Sequence, residues 1–269
     1  MRIQHNIMAM NANRNLTFNN SQLSKNLEKL SSGYRINRAG DDAAGLAISE
    51  SMRADIAIYK QSINNANDGI SLVQTAEGAL TEVHSMLNRL ETLATQAASG
   101  TYTNDNRSKV TDEVTELKGE IDRISNSTKF NGITLLDGSL QTCNIQVGQG
   151  QTISAAITQD CDSAGLGIGS INLGSSSGAA SAIGTIKDAI NAVNGVRAKL
   201  GATQNRLEHT VNNLGVTMEN LQNAESTIRD TNIADEMMAY TKNNILIQSA
   251  QAMLAQANQV PQGVLQLMQ

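Results

Sequence analysis

Apolar residues recur along most of this chain at alternating spacings of three and four, which places them on one face of a helix. From Met52 they fall at Ile56, Tyr59, Ile63, Ala66, Ile70 and Val73, and after a one-step slip at Ala76, Leu80, Val83, Leu87, Leu90 and Ala94. The seam holds for about six heptads and predicts a single helix ~65 Å long at 1.5 Å per residue. A second run of comparable length passes through Ile186, Ile190, Val193, Leu200, Leu207, Val211, Leu214, Met218, Leu221 and Ile228, interrupted by Arg197 and Gln204. Neither helix is stable with its stripe exposed, so the two are expected to lie side by side with the chain folded back on itself. Asn106 to Ser125 predicts a third, packing helix, with Val110, Val114, Leu117, Ile121 and Ile124 on one face.

The texture then changes. FNGITLLDGSL, NIQVGQGQTISAAI and GLGIGSINLGSSSG bring Gly, Ser and Thr with short alternating runs, which predict one small hairpin near Ile145 to Val147 and Thr152 to Ile157, followed by a polar loop. Residues 3 to 30 are helical by pattern through Leu23, Leu27 and Leu30. Residues 233 to 268 repeat Ile233, Met237, Tyr240, Ile247, Ala250, Leu254, Ala257, Val264 and Leu267. Each end has an apolar stripe and little to bury it. Pairing the two ends still leaves apolar surface, which points to copies of the molecule packing against one another. The fold class is therefore mainly α: a long antiparallel helical bundle with a terminal coiled-coil pair and one small β-hairpin region.

Between the first two helical runs lies GYRINRAGDDAAGLAI, positions 33 to 48. Gly33 stops one helix, and Asp41 or Asp42 can cap the next at its positive end. That leaves Arg35 and Arg38 without a local role.

Composition restricts the core to Leu, Ile, Val, Ala and Met, since the chain has no Trp, two Phe and four Tyr; a single Pro leaves long helices uninterrupted. A net charge of −5 with no clustered basic surface argues against nucleic acid. No apolar run reaches the ~18 residues of a membrane span. MRIQHNIMAMNANRN has none of the features of a cleaved signal peptide, so the protein is either cytoplasmic or leaves by a route that cleaves no signal. His5, His84 and His209 are far apart in sequence, and TVNN follows His209, which rules out an HExxH zinc site. GLGIG lacks the helix and lysine of a phosphate cradle. Cys143 and Cys161 have no CxxC spacing and read as two small polar-surface thiols, with a disulfide open only in an oxidising compartment. No cofactor, metal or catalytic constellation is expected.

One flank of the first long helix stands out: Met86, Arg89, Leu93 and Gln96 run beside the main seam. Either a neighbouring helix covers it, as bundles require, or an exposed arginine and leucine await a partner.

At the N-terminal side the residues MRIQHNIMAMNA, LEKLSSGYRINRAGDDAAGLAISESMR and DGISLVQTAEGALTEV, and at the C-terminal side RAKLGATQNRLEHTVNNL, ENLQNAESTIRDTNIADEMMAYTKNNILIQSAQAMLAQANQ and VLQLMQ, closely resemble bacterial flagellin. The resemblance covers nearly the whole chain and is far more specific than a shared bundle pattern. It implies an inner terminal helical domain from 1–45 and 230–269, a connecting spoke at about 33–46 carrying Arg35, Arg38, Asp41 and Asp42, and a bundle domain at 46–229 with its hairpin and loop region at about 130–180. A large outer domain is expected to be absent.

The resemblance further implies a structural subunit, not an enzyme, that polymerises with identical copies into the filament used for swimming. Export would run through the flagellar type III system to the extracellular flagellum, with an export chaperone, a filament cap and hook–filament junction proteins as partners and no membrane insertion. Matching LNRLETLATQ and the segment before EIDRIS assigns Arg89, Leu93 and Glu113 to the flagellin-sensing Toll-like receptor and to subunit contacts. Val264, Leu265, Leu267 and Met268 are assigned to assembly and to a cytosolic receptor. The rival within the same class is the hook–filament junction protein, which shares the two ends but diverges in QTAEGAL and NRLEHT. A flagellin carrying a metalloprotease insert is excluded by the short middle.

Overall fold

In the computed structural model residues 6–140 and 142–267 are described, with side chains as far as Val260. The elements in order are α1 (Ile7–Ser32), α2 (Ala43–Ala98), α3 (Asn104–Ser127), β1 (Lys129–Phe130), β2 (Ile133–Thr134), β3 (Cys143–Gly148), β4 (Gln151–Ala155), α4 (Ser176–Arg229) and α5 (Ile233–Leu267). The mainly α class is as the periodicity predicts. Two compact units divide the chain, residues 57–218 and residues 1–56 with 219–269. The division falls within α2 and α4, after the 45/46 boundary and before the 229/230 boundary that the resemblance implies.

In the 57–218 unit, Ala66, Val73, Ala76, Leu80, Val83, Leu87, Leu90, Ala94 and Ala97 of α2 are fully buried, one or two per turn as the heptad requires. They share a core with Ala179, Ala182, Ile186, Ala189, Val193, Leu200 and Leu207 of α4 and with Val114 and Ile121 of α3. The two long helices are antiparallel: Glu91 pairs with Lys187 and Glu77 with Arg197, while Ser176 donates to the Ala98 carbonyl at 2.8 Å.

The reversal from α2 into α3 is held by Arg107. Its guanidinium is nearly buried, donates from Nε to the Ala97 carbonyl at 2.8 Å and from Nη2 to the Ser99 carbonyl at 3.0 Å, and so satisfies the orphan acceptors at the end of α2. Thr103 caps α3 by accepting from the Asn106 amide at 3.3 Å.

The segment after β4 departs from the predicted polar loop. Ile157, Cys161, Leu166, Ile168 and Leu173 are buried in the same core. The backbone they bring with them is satisfied from α3: Asp122 accepts from the Ser163 amide at 2.7 Å and hydroxyl at 3.0 Å, and Lys118 donates to the carbonyls of Gly169 and Ile171. Cys161 is consequently no surface thiol; burial, with Asp160 and Asp162 alongside, pushes it up to about 12. Cys143 is half-buried, and both cysteines are free.

Within the 1–56 and 219–269 unit, α1 and α5 pack on one another. Asn6 caps α1 and also donates to the Ala257 carbonyl at 2.8 Å, making the pair antiparallel. The seam on α1 keeps Leu23 and Leu30 of the predicted stripe but not Leu27. Leu27 is 48 % exposed, whereas Asn26 is buried at 7 %. The inward positions are Ala12, Leu16, Asn19, Leu23, Asn26 and Leu30, spaced four and three. On α5 the matching line is Glu236, Tyr240, Asn243, Ile247, Ala250, Leu254 and Ala257, with Met237 and Ile233 turned outward.

Candidate functional site

The charged break at 33–42 is anchored by backbone pairing. Gly33 takes the left-handed conformation that ends α1, and its carbonyl accepts from the Thr231 amide at 3.0 Å. The Arg35 amide donates to the Arg229 carbonyl at 2.7 Å, and Tyr34 bridges antiparallel to Asp230. The connector leaving α1 is thus stitched to the connector leaving α4. Ile36, 2 % exposed, fills the inside of the turn.

Both aspartates have work to do. Asp42 accepts from the Gly45 amide at 2.9 Å as the cap of α2. A Cβ at position 45 would come within 2.4 Å of Asp42 Oδ2 and 2.9 Å of Ile36 Cδ1, so a side chain there displaces the capping carboxylate and Ile36. Asp41 Oδ2 accepts from the Arg38 amide at 3.0 Å and the Asn37 amide at 3.2 Å, and these bonds hold its carboxyl below the usual range.

The arginines are also spoken for. Arg35 Nη2 donates to the Ile228 carbonyl at 2.5 Å, and Arg38 reaches back to Glu28 of α1 at 2.8 Å. Two residues that sequence reasoning missed complete the cluster. Arg229, in the last turn of α4, pairs with Glu50 at 2.6 Å and lies over the Tyr34 ring at 4.8 Å from its centroid. Hydrogen bonding from Arg229 holds the Glu50 carboxyl below its ordinary value. A basic residue closing a helix was visible in TIRDTN, but its partners lie across the fold.

In the 57–218 unit the structure brings Arg89 and Glu113 together: Nη2 and Oε1 are 2.7 Å apart, and both side chains are about half exposed. Leu93 differs from the exposed anchor read as one alternative in the sequence. It is 2 % exposed within the α2, α3 and α4 core, because the flank beside the main seam is covered as a bundle requires. The surface is therefore polar, with Leu93 as its floor. Of the C-terminal candidates, the side chains of Val264, Leu265 and Leu267 and all of Met268 lie outside the described residues.

Among the described residues no group of three or more His, Cys, Asp or Glu is placed to hold a metal, and no helix is long and apolar enough to cross a membrane. His84 and His209 lie on α2 and α4, and His209 is exposed at an open hollow with Arg206 and the β3–β4 turn.

Comparison with known proteins names the family. Residues 3–141 match the bacterial flagellin N-terminal helical region and residues 183–268 the bacterial flagellin C-terminal helical region. The chain belongs to the bacterial flagellin family. It is 51 % identical over 271 residues to a flagellin of Halalkalibacterium halodurans, covering 100 % of both chains. To the flagellar filament 30.7 kDa core protein of Treponema maltophilum it is 43 % identical over 284 residues, again covering 100 % of both. The crystal structure of Bacillus cereus flagellin is similar with a TM-score of 0.51 at 33 % identity, over 56 % of this chain and 88 % of that one.

Proposed function

We propose that identical copies of this chain polymerise into the filament of a bacterial flagellum, outside the cell, after export through the flagellar type III system. The observation that carries this is the apolar surface left outside the α1–α5 seam. Met8, Met10 and Phe18 on α1 and Met238, Ile245 and Met253 on α5 are all more than half exposed. Burying each such side chain contributes ~1.5–3 kcal/mol, and only other copies supply partners along the whole length of both helices. In this reading 1–45 with 230–269 forms the inner terminal domain and 46–229 the bundle domain, with the spoke holding Arg35, Arg38, Asp41 and Asp42 as the connecting segment. The relative from Treponema maltophilum, similar end to end, carries filament in its name. An export chaperone, a cap and junction proteins follow as partners, with the apolar C-terminus at Val264, Leu265, Leu267 and Met268 serving assembly and a cytosolic receptor.

Seeding the purified chain with filament fragments and imaging by electron microscopy tests the reading. Elongation is expected; a chain that stays monomeric in the presence of competent seeds overturns it.

The flagellin-sensing Toll-like receptor is proposed to engage Arg89 and Glu113, with Leu93 supporting the surface from below. Arg89→Ala weakens receptor binding by at least about tenfold while leaving the fold intact, because a half-exposed ion pair contributes at most ~1 kcal/mol to stability. Unchanged affinity removes this assignment.

A further inference from the structure

The α1–α5 seam contains a buried polar layer that hydrophobic packing does not explain. Asn26 is buried where the heptad calls for an apolar residue, and Leu27 beside it is left in solvent. With its amide oriented to satisfy its neighbours, Asn26 donates to Glu236 Oε1 at 3.0 Å and accepts from Asn243 Nδ2 at 3.0 Å. Both partners are seam positions of α5, on either side of Tyr240. The same antiparallel register recurs one end away, where Asn6 donates to the Ala257 carbonyl.

We propose that the Asn26, Glu236 and Asn243 layer is a lock that selects one rotation and one register of the terminal helix pair. Two alternatives compete with the observed packing. A rotation of α1 by about 40°, less than the roughly 100° between successive residues, would bring Leu27 into the seam with Leu23 and Leu30 in place of Asn26, and a slip of one heptad, at the expense of the Gly33–Thr231 and Arg35–Arg229 pairing, would keep Leu16, Leu23 and Leu30 facing α5. The rotation would exchange a buried amide for Leu27 at the seam. Each would also part Asn26 from Glu236 and Asn243, leaving these partly buried polar groups of α5 facing hydrocarbon, and a desolvated unpaired polar group is costlier than the pair is favourable. A polar residue at one seam position is a well-attested way to fix register in coiled coils, at some loss of stability. The lock keeps Leu27 and Phe18 outward. That this matters for assembly rests on the filament reading above.

Thiol pairs report the register. In a full chain carrying Cys143→Ser and Cys161→Ala, Asn6→Cys with Ala257→Cys marks the observed register, and Asn6→Cys with Ala250→Cys marks a one-heptad slip. Each is treated with a short bifunctional thiol reagent, on the soluble chain and on sedimented filaments. The first pair is expected to cross-link and the second not, and Asn26→Leu is expected to shift product toward the second pair. Because Asn26→Leu can fail to fold, Glu236→Ala with Asn243→Ala opens the lock from the other helix and must give the same shift. An unshifted pattern in both variants, or loss of both products in both, overturns the lock, the latter by making the layer a matter of stability alone. A parent that cross-links in register without forming filaments counts against the filament reading and leaves the register result standing; one that does not cross-link overturns the lock.

Discussion

Replacing Arg107 with Ala tests how the 57–218 unit holds its first helix reversal. The guanidinium spends two donors on the carbonyls of Ala97 and Ser99 and a third on Asn104 Oδ1 at 3.2 Å, and the residue is 7 % exposed. The substitution strips the α2 terminus of its cap and leaves the Ala97 carbonyl, on a fully buried residue, without this donor. A charge-assisted bond contributes ~1.5–3 kcal/mol and an unsatisfied buried acceptor costs about 1–3 kcal/mol, terms that overlap, so a total of ~2–4 kcal/mol is expected. For a unit of this size that is roughly 4–16 °C in Tm. Arg107→Lys keeps the charge but not the fork, and falls between the two. Thermal unfolding followed by circular dichroism measures both. Melting of Arg107→Ala within about 1 °C of the parent would refute the reasoning, since it would mean the end of α2 needs no donor from α3.

Leu93→Ala is expected to cost ~2–5 kcal/mol through the cavity it leaves, read in denaturant unfolding, so a receptor-binding loss in this variant must be corrected for stability. Gly45→Ala crowds Asp42 and Ile36 and loosens the start of α2, seen as faster hydrogen exchange of the Ser49 region; parental protection there would contradict the close approach. The carboxyls of Asp41 and Glu50 titrate below their ordinary values, so their contribution is complete above about pH 5 and is lost as pH falls through and below the usual carboxylate range near ~4. Exchange of the Arg38 and Asn37 amides should accelerate over that window, and Asp41→Asn should abolish the dependence. In the native chain Cys143 should react with a thiol reagent well before Cys161, whose buried thiol ionises only at about 12; equal rates would show that the segment after β4 opens freely.

The long helices were legible because their apolar seams continue through one slip in α2 and the Arg197 and Gln204 interruptions in α4, and the observed α2 and α4 extend the predicted runs at both ends. The terminal pair was legible as helix but not as a surface. Counting leucines favoured Leu27 over Asn26, and nothing in α1 alone says that Glu236 and Asn243 wait across the seam. Single-sequence periodicity ranks positions by hydrophobicity, so a buried polar layer reads as the wrong face. The segment after β4 failed for a related reason. Its glycines and serines suggested solvent, but Asp122 and Lys118 of α3 supply the hydrogen bonds that let Ile157, Ile168 and Leu173 go inside.

Smaller features had local signals. The Asn131–Gly132 pair, with Asn131 at φ 49°, makes the two-residue turn of β1 and β2, a hairpin too short to show alternation. In the charged break, one aspartate was read as a cap and the other left over. The structure gives the second to the Asn37 and Arg38 amides, and gives both arginines to partners in the same chain. The stripe at Arg89, Leu93 and Glu113 was placed on the right helices, while the burial of Leu93 depended on a third helix whose rotation the pattern does not specify.

Removing α5 tests the central claim most directly. A chain ending at residue 232 loses the partner of α1 and half of the outward apolar surface but keeps the core shared by α2, α3 and α4. Sedimentation and electron microscopy with competent seeds should find the full chain in filaments and the shortened chain in the supernatant, still helical and cooperatively folded. Filaments grown from the shortened chain would contradict the account.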